Sequence, residues 1–425
     1  MNKLFRGILF LVFVSITITH PVFAASPVVV QRVFVNGDEN RYPIDPRVVS
    51  RADGGNFIVA GSSAGGWAAK FDAQGKMLWK YERKFPYLDP KPYPDPDFLG
   101  VAAMADGTTY LCSNVPHPIK DHPPTALLTH LDANGQLMAE RIFWPSNNNE
   151  IKNPIVQATF EGCTAWEDGF VVFGQILEKN GTVDNILGTP VSKIYYGVIK
   201  FDSTGKIQWE RYIPRLGDAS SPFTPQSLTL MAIGDKLFFS VVHNAVVKNT
   251  DPITTDVAVL TDTGEVSAKI NMLGWLRLVH PNANSKQIQL LGSKNNLVLI
   301  ALDQDLQEQH RVETNSSLRP NIIFENLDGN LVAFGTNFHS FGRRYNLAML
   351  HTDQNLNDKQ IIEFYDPGID DPGVMGAAVP TGAGDGFIVA KYAWKAKPGV
   401  LGFLQKDSVP DDFVRGMVIE IIKFK

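Results

Sequence analysis

The chain has 425 residues, of which 44% are hydrophobic and 20% charged, and its net charge is −5. This balance is typical of a globular protein and excludes a disordered chain, while the negative charge argues against a nucleic-acid binder, which needs a basic surface. The two cysteines are too few for a disulfide scaffold, an all-cysteine zinc site or an iron–sulfur site.

The first 24 residues have the three parts of a secretory signal peptide. Lys3 and Arg6 form a positive start, and residues 7–18 form an apolar run too short to cross a bilayer. Residues 22–24 then provide a small-residue cleavage site, so we predict cleavage after Ala24 and a periplasmic or secreted protein. No later stretch is apolar enough to predict a membrane span.

A pattern of two turns and two apolar runs recurs along the rest of the chain. The clearest copy has Asp53-Gly54 before the apolar run 57–61, then Asp72 and Gly75 in a second turn, and ends at Trp79. Further copies begin near residues 106, 168, 234, 285, 328 and 385. The Val, Ile and Phe blocks predict strands, and Asp-Gly favours tight turns because Gly adopts positive φ at little cost. Each copy therefore predicts four antiparallel strands.

Repeated four-stranded units predict an all-β fold, a seven-bladed β-propeller of four-stranded antiparallel blades. The last copy lacks a fourth strand, so we predict that the N-terminal strand at 28–35 completes the last blade. Six or eight blades remain alternatives, because the copies at 226–313 lack the Trp and Asp262-Thr263-Gly264 shortens the second turn. The predicted domains are the signal peptide 1–24 and one propeller domain 25–425, with blades at 47–82, 98–143, 155–213, 226–271, 275–313, 319–365, and 374–425 plus 28–35.

The strong copies read D-G-G-x-F-I-V-A-G followed by K-F-D-x-x-G-x-x-x-W, and they resemble the WD-type and quinoprotein-like repeats of exported bacterial propellers. The resemblance covers nearly all of residues 28–425 and implies a scaffold without specifying a chemistry. In quinoproteins, tryptophans at the positions of Trp79 and Trp209 dock neighbouring blades. The adjacent cysteines of quinoprotein dehydrogenases are absent, so no cofactor is expected.

The strand order places the short turns on one face of the ring and the longer connections on the other, which we call the long-loop face. Long loops on a rigid scaffold commonly carry binding residues, so this face is the predicted functional face. The alternative is that the loops only cover the central channel. The candidate ligand-binding residues in or beside these loops are Trp67, His117, His122, Tyr195, His243, Phe338, His339, Phe341, Arg343, Arg344 and Trp394.

Aromatic residues and arginine dominate binding hot spots, which is why these positions are candidates. The alternative for each ring is that it plugs the channel or seals a blade junction. His117 and His122 share one Pro-rich loop, but their spacing does not define a metal site, so none is expected. His130 and His351 are predicted to have a structural, solvent-facing role in third strands.

Cys112 and Cys163 are predicted on neighbouring blades, where they are either a disulfide in an oxidising compartment or two buried free thiols.

These features predict a binding or scaffold module that recognises a protein or glycan through the long-loop face. We expect a monomer with no nucleic-acid partner. The alternative is a propeller enzyme, a hydrolase or lyase with its site at the channel mouth. The catalytic residues stay unknown, because the chain has no G-x-S-x-G segment and no carboxylate pair is singled out.

Overall fold

The computed structural model consists almost wholly of β-strands. It describes residues 27–36, 45–62, 66–83, 98–115, 125–145, 151, 155–179, 191–215, 227–243, 253–281, 287–293, 296–316, 318–339, 344–357, 360–363, 377–381, 383–396 and 413–424. Within these ranges there are 28 strands and one 3-10 turn, Asp53–Gly55. No helix in this described part is long and apolar enough to cross a membrane. The predicted signal peptide lies outside it.

The strands group into units of four neighbours that pair antiparallel in chain order. Unit 1 contains β2 (Asp45–Arg51), β3 (Phe57–Ser62), β4 (Gly66–Phe71) and β5 (Met77–Glu82). Unit 2 contains β6 (Phe98–Ala103), β7 (Thr109–Val115), β8 (Thr125–Leu131) and β9 (Leu137–Phe143). Unit 3 contains β10 (Ile155–Trp166), β11 (Gly169–Lys179), β12 (Val191–Asp202) and β13 (Ile207–Pro214).

The second half of the chain repeats this arrangement. Unit 4 contains β14 (Ser227–Ile233), β15 (Lys236–His243), β16 (Thr254–Leu260) and β17 (Val266–Leu273). Unit 5 contains β18 (Trp275–Leu278), β19 (Ile288–Ser293), β20 (Leu297–Leu302) and β21 (Glu308–Thr314). Unit 6 contains β22 (Leu318–Glu325), β23 (Leu331–His339), β24 (Arg344–Thr352) and β25 (Gln360–Glu363). The closing unit contains β26 (Ala377–Pro380), β27 (Gly386–Ala396), β28 (Phe413–Phe424) and β1 (Pro27–Asn36).

These units form a β-propeller. Five of the sheets in the described residues have four strands, and units 2 and 3 merge into one eight-stranded sheet through a parallel pairing of Ala158 with Thr125. The first strand of each unit contacts the first strand of the next, and β26 contacts β2, so the first strands make a closed ring.

The ring is closed by pairing between the two ends of the chain, as the sequence predicts. The strand β1 runs antiparallel to β28, with Val33 opposite Ile419 and Asn36 opposite Gly416. An ion pair adds to this pairing, because the partly exposed Arg32 contacts the fully buried carboxylate of Glu420 at 2.6 Å. The N-terminal strand therefore supplies both backbone and side-chain bonds to the last unit.

The core lies between units, because the middle strands of each sheet are buried on both faces. In β3, the residues from Phe57 to Gly61 are all buried, whereas the outermost strand β5 exposes most of its side chains. One apolar cluster joins units 2 and 3 and includes Tyr110 and Phe170, whose rings stack with centroids 4.1 Å apart. Burial of such apolar surface between sheets is the main stabilising term of the fold.

The turn between the third and fourth strands has the same hydrogen bonds in successive units. Asp72 Oδ1 accepts hydrogen bonds from the backbone N–H groups of Gln74 and Lys76, at 3.0 and 2.8 Å. Gly75 follows with φ of 76°, in the left-handed region that glycine adopts most readily. Asp132 and Asp202 accept the equivalent bonds in units 2 and 3.

Three of these turns depart from the Asp-x-x-Gly pattern, and in unit 6 the left-handed position holds Leu356, with φ of 54°. In unit 4 the turn is not shortened, because it begins at Thr261, whose hydroxyl accepts the bond from Glu265 N–H at 3.1 Å and so replaces the aspartate. In unit 5 the left-handed position holds Leu306, with φ of 60°. Leu306 is 1% exposed, so burial of its side chain offsets the backbone strain.

Candidate binding groove on the outer wall

The predicted candidates on the long-loop face fall into three groups. Trp67 is fully buried in the core between unit 1 and the closing unit. Tyr195 is 3% exposed and donates a hydrogen bond to Glu178 Oε2 at 2.8 Å. Five more candidates lie at or near strand ends: His243, Phe338, His339, Arg344 and Trp394. The others lie outside the described residues: His117, His122, Phe341 and Arg343. A binding role for this set stays a prediction.

The third-strand positions are more buried than the sequence suggests. His351 is 3% exposed and packs its ring on Phe424 with centroids 5.4 Å apart, so the solvent-facing role predicted for it is wrong. Its counterpart Lys70 is also buried and forms an ion pair with Asp53 at 2.7 Å. Phe424 of the closing unit packs on His351, and Asp53 in the turn before β3 binds Lys70, and the strand pattern alone does not reveal these contacts.

The junctions between units differ in how the turn glycine is covered. In unit 2, a Cβ added to Gly135 would lie 2.7 Å from the ring of Trp79 on the preceding unit. In unit 4, Gly264 is covered in the same way by Trp209, again at 2.7 Å. The residue in the corresponding position of unit 2 is Ala139, and Gly205 of unit 3 faces the ring of Tyr110 instead, with an added Cβ 3.3 Å from that ring.

A groove lies at this junction, where two small residues meet. Its volume is about 600 Å³, and it runs between β9 and the turn that begins β13. The residues that line it are Leu128, Arg141, Ile142, Phe143, Trp144, Phe201, Thr204, Gly205, Lys206 and Ile207. Among the described residues, the lining therefore contains two cations and no carboxylate.

The outer rim of the groove is apolar and open to solvent. Ile142 is 58% exposed, Trp144 47% and Ile207 40%, and Met138 and Leu137 extend the apolar surface along β9. Since β9 is the outermost strand of its unit, one edge of its backbone is not paired within the described sheet. We call this set of five residues, together with Arg141 and Lys206, the outer-wall patch.

The inner end of the groove is built from a stacked pair of rings. Tyr110 and His130 lie with centroids 4.1 Å apart, and Tyr110 donates a hydrogen bond to the Ser203 carbonyl at 2.9 Å. Burial raises the pKa of Tyr110 to about 12 and lowers the pKa of His130. His130 Nε2 is buried without a hydrogen-bond partner in the described residues, beside a small cavity of about 20 Å³ that can hold one water.

The groups with strongly shifted pKa values do not converge on one site. Burial raises the pKa of Glu161 to about 7 and lowers that of Arg277 to about 9. Burial, with the charge of Arg51, lowers the pKa of His280 to about 4. None of Glu161, Arg277 and His280 contributes to the pKa of another. Across the described ranges, no cluster of three or more His, Cys, Asp or Glu residues could hold a metal ion.

Sequence reasoning missed the outer-wall patch because it searched the long loops. The available signal was the interrupted repeat, since Ala139 stands where two other copies have Trp79 and Trp209. Exposed apolar residues on an outermost strand also look like ordinary strand alternation. Their significance depends on the neighbouring unit, which the sequence does not place.

Comparison with known proteins supports the fold and gives no family. No protein-family model matches the chain, and no curated protein matches it. Among solved structures, the Dos1 propeller is similar, with a TM-score of 0.51, 9% identity, and coverage of 93% of this chain and 95% of that one. The structure of YCF48 bound to D1 peptide has a TM-score of 0.48 and 10% identity, covering 92% and 94%. At this identity, the likeness to the Dos1 propeller shows the propeller fold alone.

Proposed function

We propose that this chain is an exported binding module that holds an extended segment of a partner protein on its outer-wall patch. The eight-stranded sheet then counts as two blades, which gives a seven-bladed ring. Removal of residues 1–24 would deliver the module to the periplasm or the outside of the cell. The proposal rests on the groove between units 2 and 3 and its solvent-exposed apolar rim.

The chemistry of the patch favours a peptide that is apolar and carries an acidic residue. Ile142, Trp144 and Ile207 offer apolar surface that loses contact with water on binding, which is favourable. Arg141 and Lys206 supply positive charge, and the absence of a carboxylate in the lining leaves that charge available to an acidic side chain. A glycan fits less well, because its hydroxyl groups need polar partners.

The edge of β9 favours an extended conformation for the peptide. A strand at a sheet edge presents unpaired N–H and C=O groups, and partner segments can add to it as a further strand. The peptide backbone would then pair with β9 while alternate side chains enter the groove. The enzyme alternative has less support, because Glu161, Arg277 and His280 do not contribute to one another's pKa.

To test the proposal, a displayed library of random peptides is selected for binding to the mature protein. The affinity of the enriched peptides is then measured for the wild type and for two matched variants. Ile142→Lys changes the patch, and Leu273→Lys changes an outermost strand of unit 4; both native side chains are 58% exposed. We expect enriched peptides to be apolar with an Asp or Glu, and Ile142→Lys to weaken binding at least tenfold while Leu273→Lys has no effect. Equal affinity for both variants, or no enrichment, would contradict the proposal.

A further inference from the structure

A half-buried arginine on the inner ring of strands has no anionic partner among the described residues. Arg277 lies on β18, the first strand of unit 5, next to β22 of unit 6. Its Nη1 donates a hydrogen bond to the Asn321 carbonyl. Its Nε is buried without an acceptor, and no carboxylate of the described residues forms an ion pair with it.

The free edge of this guanidinium has the geometry that oxyanions bind. Nη1 is engaged by Asn321, while Nε and Nη2 carry no hydrogen bond to any described residue. These two nitrogens form one side of the planar fork, which matches two oxygens of a carboxylate or phosphate. Trp275 lies beside the guanidinium, with the ring centroid 6.0 Å from Cζ, and helps to hold its plane.

The described surroundings of Arg277 supply no negative charge that acts on its pKa. His280 follows three residues later, and the positive charge of Arg51 on β2 helps to lower its pKa. Burial lowers the pKa of Arg277, and no carboxylate of the described residues compensates its charge. Buried charges in native proteins are usually paired, because an unpaired buried ion loses its hydration without replacement.

We propose that Arg277 anchors an anion-binding site at the inner end of the junction between units 5 and 6. Its ligand carries a carboxylate or phosphate group, which the Nε and Nη2 donors bind together. The site is on the inner strands of the ring and is therefore separate from the outer-wall patch. Loss of one site leaves the other intact, so the two proposals fail independently.

The experiment measures thermal unfolding of the mature protein in inorganic phosphate or succinate, against chloride of equal ionic strength. We expect one or both oxyanions to raise the melting temperature in a saturable way, since a ligand that binds the native state stabilises it by mass action. A response to phosphate alone identifies a phosphate ligand, and a response to succinate alone identifies a carboxylate ligand. No response beyond that of chloride would overturn the proposal.

Matched variants assign the response to Arg277. Arg277→Gln should abolish it, and Arg277→Lys should reduce it, because lysine keeps the charge but not the planar fork. Arg311→Gln is the control, since Arg311 is exposed and already paired with Glu308 at 2.8 Å. If Arg277→Gln does not fold, the anion affinity of Arg277→Lys is measured by titration calorimetry and compared with that of the wild type. An unchanged affinity in Arg277→Lys and in any folded Arg277→Gln would contradict the assignment.

Discussion

At three junctions, the residue at the left-handed position of the third-to-fourth-strand turn is matched in size to the residue at the position of Trp79 on the preceding unit. Glycine pairs with tryptophan at Gly135 and Trp79, whereas leucine pairs with alanine at Leu306 and Ala268, which share one apolar cluster. Either combination fills the junction. Where both members are small, as at Ala139 and Gly205, the ring of Tyr110 faces the glycine and the groove lies beside it.

This matching predicts strong coupling between Trp79 and Gly135. Trp79→Ala alone should destabilise the fold by about 3–5 kcal/mol, through lost burial and a cavity. Gly135→Leu alone should be severe, because a Cβ there already lies 2.7 Å from the Trp79 ring. In the double variant the leucine occupies the vacated space, so the two losses should not add, with a coupling of about 2 kcal/mol or more. Urea unfolding of the four proteins measures it.

Substitution of a second glycine separates two causes of lost stability, which are backbone strain and steric overlap. Gly234 also has positive φ, 58°, but a Cβ there would meet nothing within 4 Å. Gly234→Ala should therefore cost about 1–2 kcal/mol from backbone strain alone, and Gly135→Ala should cost more. Additive losses at Trp79 and Gly135, or equal costs for the two alanine variants, would contradict size matching.

The sequence predicts the turn glycines, but it predicts neither the turn leucines nor the groove. Both depend on contacts between units. Asp-x-x-Gly is a local signal, since the aspartate and glycine act within one turn. Leu306 tolerates the left-handed region because its side chain is buried in an apolar cluster that also contains Ala268 of the preceding unit. Residue spacing within one copy contains no information on that contact.

At the scale of elements, β7 and β10 bring the two cysteines together. Cys112 and Cys163 are both buried free thiols in the structure, within one apolar cluster that joins units 2 and 3. Burial, and then the neighbouring Cys163 thiol, raise the pKa of Cys112 well above its usual range. The folded protein therefore holds little thiolate, and a disulfide between them would have to form before folding is complete.

We predict that protein exported to an oxidising compartment contains the Cys112–Cys163 disulfide. The two thiols would transfer two electrons and two protons to an external disulfide. In the chain-entropy model, closing this loop adds about 4 kcal/mol of stability. Mass spectrometry after alkylation under denaturing conditions should find no free thiol before reduction and two after it. Cys163→Ser should leave one labelled thiol, and two free thiols in the exported wild-type protein would contradict the pairing.

At the scale of the whole molecule, the repeat pattern predicts the all-β propeller and its closure by β1. Both follow from local turns and from the missing fourth strand at the C-terminus, so sequence was sufficient. The parallel contact that merges units 2 and 3 was not predictable, because it joins Ala158 and Thr125 across a junction. The same limit explains why the outer wall was missed as a binding surface.

Two ionisable groups of the inner ring, Glu161 and His280, make the stability of the fold depend on pH in opposite directions. Burial raises the pKa of Glu161 from 4.5 in the unfolded chain to about 7 in the folded protein. The folded state then binds more protons between these values, so this contribution to stability falls as pH rises from 4.5 to 7. His280 has its pKa lowered from 6.5 to about 4, so its contribution falls as pH drops from 6.5 to 4.

Single substitutions should separate the two contributions. Glu161→Gln removes the ionisable carboxyl, so the variant should gain stability over the wild type as pH rises from 4.5 to 7, by at most about 3 kcal/mol. His280→Gln should gain relative stability in the opposite direction, as pH falls from 6.5 to 4. The measurement is the free energy of unfolding in urea at pH 4, 5, 6, 7 and 8. A difference between Glu161→Gln and wild type that is the same at pH 5 and pH 8 would show that Glu161 is not desolvated in the folded ring.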